Sequence, residues 1–125
     1  MANRTSEGNG ILVVEDDFDV RDMMAVFLEI EGYQVNKAAN GREAIDRLKV
    51  NGPPCLILLD LMMPIMNGWE FRAAQQQDPV LASIPVIVIS ADANVGQKAG
   101  HLHASGYLKK PVNFEELLKL VRQYC

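Results

Sequence analysis

The chain alternates between two hydrophobic rhythms. ILVVE at 11–15 is a continuous, largely β-branched apolar run, the pattern of a strand buried on both faces of a parallel sheet. From Val20 the period changes: Val20, Met23, Met24, Phe27 and Leu28 fall on one face of an amphipathic helix, which Gly32 ends. YQVNKAA (33–39) predicts a second strand, and NGREAIDRLKVNG (40–52) a second helix with Ala44, Ile45 and Leu48 inward. CLILLD (55–60) is a third strand, followed by a helix from near Asn67 to about Gln77. Pro79 and Pro85 bracket a linker, after which VIVIS (86–90) is a fourth strand. A helix is expected around 94–104, weakened by Gly96 and Gly100, each costing about 1 kcal/mol against alanine; it should be the loosest in the domain. Gly106 to Lys109 form a short fifth strand. The last helix is expected to open on an N-cap and capping-box pair, Asn113 with Glu116, and to bury Phe114, Leu117, Leu118 and Val121. Residues 1–9 are polar and aperiodic and are expected to be a flexible tail, leaving 10–125 as one domain.

Five strands alternating with five helices predict an α/β fold, a doubly wound parallel sheet joined by right-handed crossovers. In such sheets ligands bind beyond the carboxyl ends of the strands. Here those ends carry Glu15-Asp16-Asp17, Asp60, Ser90 and Lys109-Lys110. Asp60 is the odd residue among them, a carboxylate closing an otherwise wholly apolar strand.

Composition changes this picture only by exclusion. The 125 residues carry a net charge of -4 without a Lys/Arg cluster, which argues against direct nucleic-acid binding and against attraction to an anionic membrane. No apolar run approaches the roughly 20 residues that span a bilayer, and the first residues lack a signal-peptide core, so a cytoplasmic protein is expected. Cys55 and Cys125 fit no metal or redox spacing, and Cys55 is expected to be a small core residue.

Carboxylates gathered at one sheet edge repel, at about 4 kcal/mol for two charges 4 Å apart in an effective dielectric near 20. A hard divalent cation relieves this, and Mg²⁺ suits a shallow site because it keeps several waters and takes one or two carboxylates. With a lysine and a hydroxyl beside it, Asp60 has the companions of a phosphoryl-transfer nucleophile. Asp17, where the first helix starts, is expected to be its N-cap. His101 and His103 do not share a helix face and are expected to be exposed rather than metal ligands. Trp69 is expected to be packing.

ILVVEDD, LLDLMMPIMNG, VIVISA and GYLKKP, in this order and spacing, resemble the receiver domain of two-component response regulators, in single-domain, chemotaxis-regulator-like form. The resemblance covers residues 10 to 124. It implies a flavodoxin-like sheet in the order 2-1-3-4-5 and a phosphoryl group received on Asp60 from a histidine kinase or histidine phosphotransfer protein. It further implies Mg²⁺ held by Asp16, Asp60 and the backbone carbonyl of Met62, with Glu15 acting through water. Ser90 and Lys110 would bind the phosphoryl group, Ser90 and Tyr107 would act as the switch pair, and a cis bond before Pro111 would aim Lys110 inward. Glu15 replaces the family's more frequent Asp, and Val112 stands where an aromatic often follows the proline. Such a domain is a signalling module with self-phosphorylation and self-dephosphorylation chemistry only, either acting alone or as part of a longer regulator.

Two other functions share parts of this pattern. A haloacid-dehalogenase-like phosphatase would carry a second acid two residues after its nucleophile, where this chain has Met62. A flavodoxin-like cofactor binder would need a hydroxyl- and glycine-rich loop after the first strand, where Glu15, Asp16 and Asp17 would repel a phosphate.

Overall fold

The structure, a computed structural model, describes residues 10–125; the expected tail at 1–9 lies outside the described residues. Five strands and five helices alternate: β1 Ile11–Val14, α1 Phe18–Ile30, β2 Val35–Ala38, α2 Gly41–Asn51, β3 Leu56–Asp60, α3 Gly68–Gln77, β4 Val86–Ser90, α4 Val95–His101, β5 Gly106–Lys109 and α5 Phe114–Tyr124. The strands form one parallel sheet in the order β2-β1-β3-β4-β5, the doubly wound (βα)5 fold expected.

Because side chains alternate across a strand, the continuous apolar runs divide into two half-cores. Ile11, Val13, Leu56, Leu58, Ile87 and Ile89 face α1 and α5, where Met24, Leu28, Leu117 and Val121 meet them. Leu12, Val14, Ile57, Leu59, Val86 and Val88 face the other way, onto Ala44 and Leu48 of α2, Phe71 of α3, and Val95 and Ala99 of α4. Each central strand therefore buries both faces, which is why its sequence shows no alternation.

The helix starts follow the sequence closely. Asp17 accepts from the Val20 N–H as the N-cap of α1, and Asn40 caps α2. At α5, Asn113 accepts from the Glu116 N–H; the full two-way capping box is found instead at α3, between Asn67 and Glu70. Two expectations are corrected within helices. The buried stripe of α1 is Met24, Ala25 and Leu28, while Met23 is 57% exposed, because the stripe is rotated toward Ala25. α4 is seven residues, shorter than 94–104, since the chain turns through His103 at φ 53°.

A third correction concerns the cysteines. Cys55 and Cys125, 70 positions apart in sequence, are joined by a disulfide, with their Cα atoms 5.6 Å apart. Spacing rules inspect local sequence, whereas this pair meets because the start of β3 and the end of α5 lie at the same end of the sheet. Among the described residues no helix is long and apolar enough to cross a membrane.

Candidate functional site

The strand order reverses between β1 and β3: the chain leaves β1 for β2 on one side and returns to β3 on the other. A crevice forms at the carboxyl ends of these strands. Glu15 follows β1 directly and continues its ladder through its N–H to the Ala38 carbonyl at 3.0 Å. Asp60 is the last residue of β3, opposite Ile89, and Ser90 is the last of β4, opposite Lys109. The sheet register itself thus brings the acids, the hydroxyl and the lysine to one edge. They line a cavity of about 570 Å³ with Asp16, Asp17, Met62, Ala91, Asp92 and Lys98.

α3 starts close against this edge. A Cβ at Gly68 would stand 2.7 Å from the Asp60 carbonyl oxygen, so only glycine lets the helix begin there, and its N–H donates to the Leu61 carbonyl at 3.0 Å. The loop between is strained at Ile65, a β-branched residue held at φ 68°. Met62 is exposed at the mouth of the cavity.

The electrostatics centre on Asp60, which is 5% exposed. Burial, reinforced by the charge of Glu15, pushes its carboxyl up from 3.8 to about 7; Lys110 pulls the other way, while Asp16 adds to the rise. The Lys110 ammonium lies 2.7 Å from Glu15 Oε1 and 3.6 Å from Asp60 Oδ1. Burial weakens it, but its carboxylate partners outweigh that and hold its proton more tightly than usual. The Lys110-Pro111 bond is cis.

Glu15, Asp16 and Asp60 each offer a carboxylate oxygen, all within 4.8 Å of one another. Glu15 is 1% exposed; its Oε2 accepts from the Asp17 N–H, and its buried Oε1 faces the Lys110 ammonium at 2.7 Å. The three carboxylates share one lysine between two of them, and the charge and lone pairs left over fit a hard cation or its water.

Contacts between separate segments complete the surroundings of the site. The Ser90 hydroxyl accepts from the Asp92 N–H at 3.1 Å, and Asp92 Oδ1 accepts from the Asn94 N–H at 2.9 Å. The other Asp92 oxygen pairs with the Lys98 ammonium, which holds the Asp92 carboxyl below its ordinary value. Lys98 in turn lies 5.6 Å from the centre of the Trp69 ring, so Trp69 is packing with a cation on its face. Tyr107, 52% exposed, rests its ring on the bare backbone of Gly96, where a Cβ would meet the ring at 3.1 Å. Arg72, buried, donates to the carbonyls of Leu102 and His103 and to Gln75, whose amide reaches the carbonyls of Leu81 and Ile84. That network fastens the end of α4 to α3. His101 and His103 are exposed, as expected.

Comparison with known proteins matches residues 11–122 to the family described as response regulator receiver domain. The chain is 38% identical over 117 residues to an uncharacterized 14.6 kDa protein of Leptolyngbya boryana, covering 92% of this chain and 88% of that one. It is 36% identical to the alkaline phosphatase synthesis transcriptional regulatory protein SphR of Synechococcus elongatus, over 94% of this chain but 49% of the relative. Among solved structures, the Vibrio cholerae chemotaxis protein CheY4 superposes with a TM-score of 0.82 at 31% identity, over 92% of this chain and 97% of that one. A response regulator receiver protein from Pseudomonas putida gives 0.83 at 28% identity, over 90% and 94%. The chain thus spans about half the length of SphR and nearly all of the receiver structures.

Proposed function

Because the chain belongs to the response regulator receiver domain family of two-component signalling, we propose that Asp60 is its phosphoacceptor and that phosphorylation there switches a partner-binding surface. One observation carries the reading: a buried carboxylate at the end of a central strand shares a cavity with Glu15, Asp16, the Ser90 hydroxyl and Lys110. The donor is a phosphohistidine on a histidine kinase or histidine phosphotransfer protein. Asp60 Oδ forms the new P–O bond, the P–N bond breaks, and the imidazole leaves with the electron pair and takes up a proton.

Each neighbour has a role in that step. Ionised Asp60 is the nucleophile, and Lys110 favours that form and meets the phosphoryl oxygens once they arrive. Asp16, Asp60 and the Met62 carbonyl would hold Mg²⁺, with Glu15 acting through a water. Bound there, Mg²⁺ supplies charge neutralisation for the transferring group. The Ser90 hydroxyl accepts a backbone N–H in the described state and can turn to donate to a phosphoryl oxygen. Its departure frees space beside β4, into which Tyr107 rotates from Gly96, repacking α4 against β5. The chemistry is confined to the domain's own phosphorylation and dephosphorylation, and the module works in the cytoplasm by protein contact, with no direct nucleic-acid or membrane partner.

Acetyl phosphate with Mg²⁺ should add one phosphoryl mass to the intact chain, labile in base and lost in Asp60→Asn. A variant that gains the same mass at the same rate would remove Asp60 from the role. Amide NMR with a beryllofluoride mimic tests the switch: signals of Tyr107 and α4 should move in wild type and move less in Ser90→Ala.

A further inference from the structure

We propose that Cys55 and Cys125 are a reversible thiol–disulfide site through which the redox state of the surroundings sets how firmly the last turn of α5 is held to the sheet. The bond ties the residue before β3 to the residue after α5. It therefore sits at the opposite end of β3 from Asp60, outside the phosphoacceptor cavity. Both cysteines are only half-buried, and Cys55 lines a surface hollow of about 450 Å³ walled by Pro54, Val80, Pro85 and Tyr124. A reductant has an approach to the sulfur there.

Reversibility follows from the setting, and this step rests on the phosphoacceptor reading above. A module served by a histidine kinase works where glutathione and protein dithiols keep thiols reduced, and disulfides in that compartment are transient, catalytic or redox-sensing rather than permanent staples. The chemistry balances with a protein dithiol as reductant. Its thiolate attacks one sulfur to give a mixed disulfide, and its second thiol then displaces that bond. Cys55 and Cys125 leave as thiols, the dithiol leaves as a disulfide, and two electrons and two protons have passed. The disulfide form of the same couple drives the reverse.

The bond controls a small part of the fold. Leu117 and Val121 are fully buried and keep the body of α5 docked without it. Beyond them the helix end relies on a long ion pair of the exposed Arg122 with Glu31 at 4.0 Å, on the half-buried Tyr124, whose hydroxyl reaches the Ser105 carbonyl only at 3.5 Å, and on the disulfide. Reduction should free residues 122–125 and leave the rest of α5 in place. Since α5 packs beside β5, which carries Tyr107, the release reaches the edge of the face that the proposed switch rearranges.

The test titrates the whole chain in mixtures of reduced and oxidised glutathione spanning cytosolic ratios. Thiols are counted by alkylation and intact mass, and amide exchange is followed at each point. The expected result is no label at the oxidising end, two labels at the reducing end, full recovery on return, and at least tenfold faster exchange of residues 122–125 in the reduced chain. Cys125→Ser should exchange like the reduced chain at every ratio. Two labels without any reductant, a bond that resists the whole range, or a redox response surviving in Cys125→Ser would each overturn the proposal. Acetyl phosphate labelling of the same samples separates the two readings: a chain that titrates its thiols but gains no phosphoryl mass refutes Asp60 as acceptor and leaves the thiol site standing.

Discussion

The Lys110 ammonium stands nearer to Glu15 than to Asp60, 2.7 Å from one carboxylate and 3.6 Å from the other. The lysine is therefore shared, and Asp60, the acid proposed as nucleophile, has the weaker claim on it. After burial, the charge of Glu15 is the next largest cause raising the Asp60 carboxyl, and Glu15 also holds the nearer place beside Lys110. Glu15→Gln should lower the Asp60 value from about 7 toward the ordinary carboxylate range, followed by carboxyl carbon shifts through a pH titration. An unchanged midpoint would show that Glu15 has no part in setting it.

The pH dependence of the metal-free domain follows from the same group. Unfolded Asp60 titrates near 3.8 and folded Asp60 near 7, so between those values the native state binds more protons than the unfolded one. Stability from this group is fully present below about pH 4 and is lost as pH rises through 7, by on the order of a few kcal/mol. Without divalent cations, the Asp60→Asn variant should therefore gain most over wild type at pH 8 and least near pH 5. Mg²⁺ binding should release close to one proton at pH 6 and almost none at pH 8, measured by calorimetry in buffers of different ionisation enthalpy.

Arg72 is 7% exposed and its hydrogen-bond partners are two carbonyls and an uncharged amide. Arg72→Ala would leave the carbonyls of Leu102 and His103 without donors, at a cost of about 3 kcal/mol by urea unfolding. Amide exchange should rise first at the end of α4. A loss spread evenly over the domain would argue against that anchoring role.

The two glycines of α4 should respond differently. Nothing lies within 4 Å of a Cβ built at Gly100, so Gly100→Ala should stabilise the domain by about 0.5–1 kcal/mol. At Gly96 the added methyl meets the Tyr107 ring at 3.1 Å. Gly96→Ala should gain less and shift the Tyr107 ring signals, which Gly100→Ala should leave in place.

The sheet and the site at its edge were legible because they rest on strand ends, and ILVVE, CLILLD, VIVIS and GYLK mark those without ambiguity. The disulfide was not legible. Its two halves are brought together by closure of the whole domain, and nothing near Cys55 signals a residue 70 positions away. Arg72 and Gln75 carry no sign of their burial in the sequence, because their targets are backbone carbonyls, which have no sequence signature. Arg72 likewise explains why α4 ends short of residue 104: the carbonyls of Leu102 and His103 are spent on it as the chain turns out of the helix. Lys98 stayed hidden because Asp92 and Trp69 reach it from two other segments.

Asp60 rides on β3, which is hydrogen-bonded along both edges, to β1 and to β4, whereas β5 is a four-residue strand with a neighbour on one side only. In mechanical terms β3 is the stator: it has no free flank along which to slide, and a charge placed on its tip cannot be absorbed by moving the tip. The yielding part must lie at the rim, where β5 and α4 share fewer partners and open at lower local cost. Under the proposed switch, a signal written at the middle of the sheet would be read at its border, and substitutions that clamp the rim should silence the output while leaving the writing step intact.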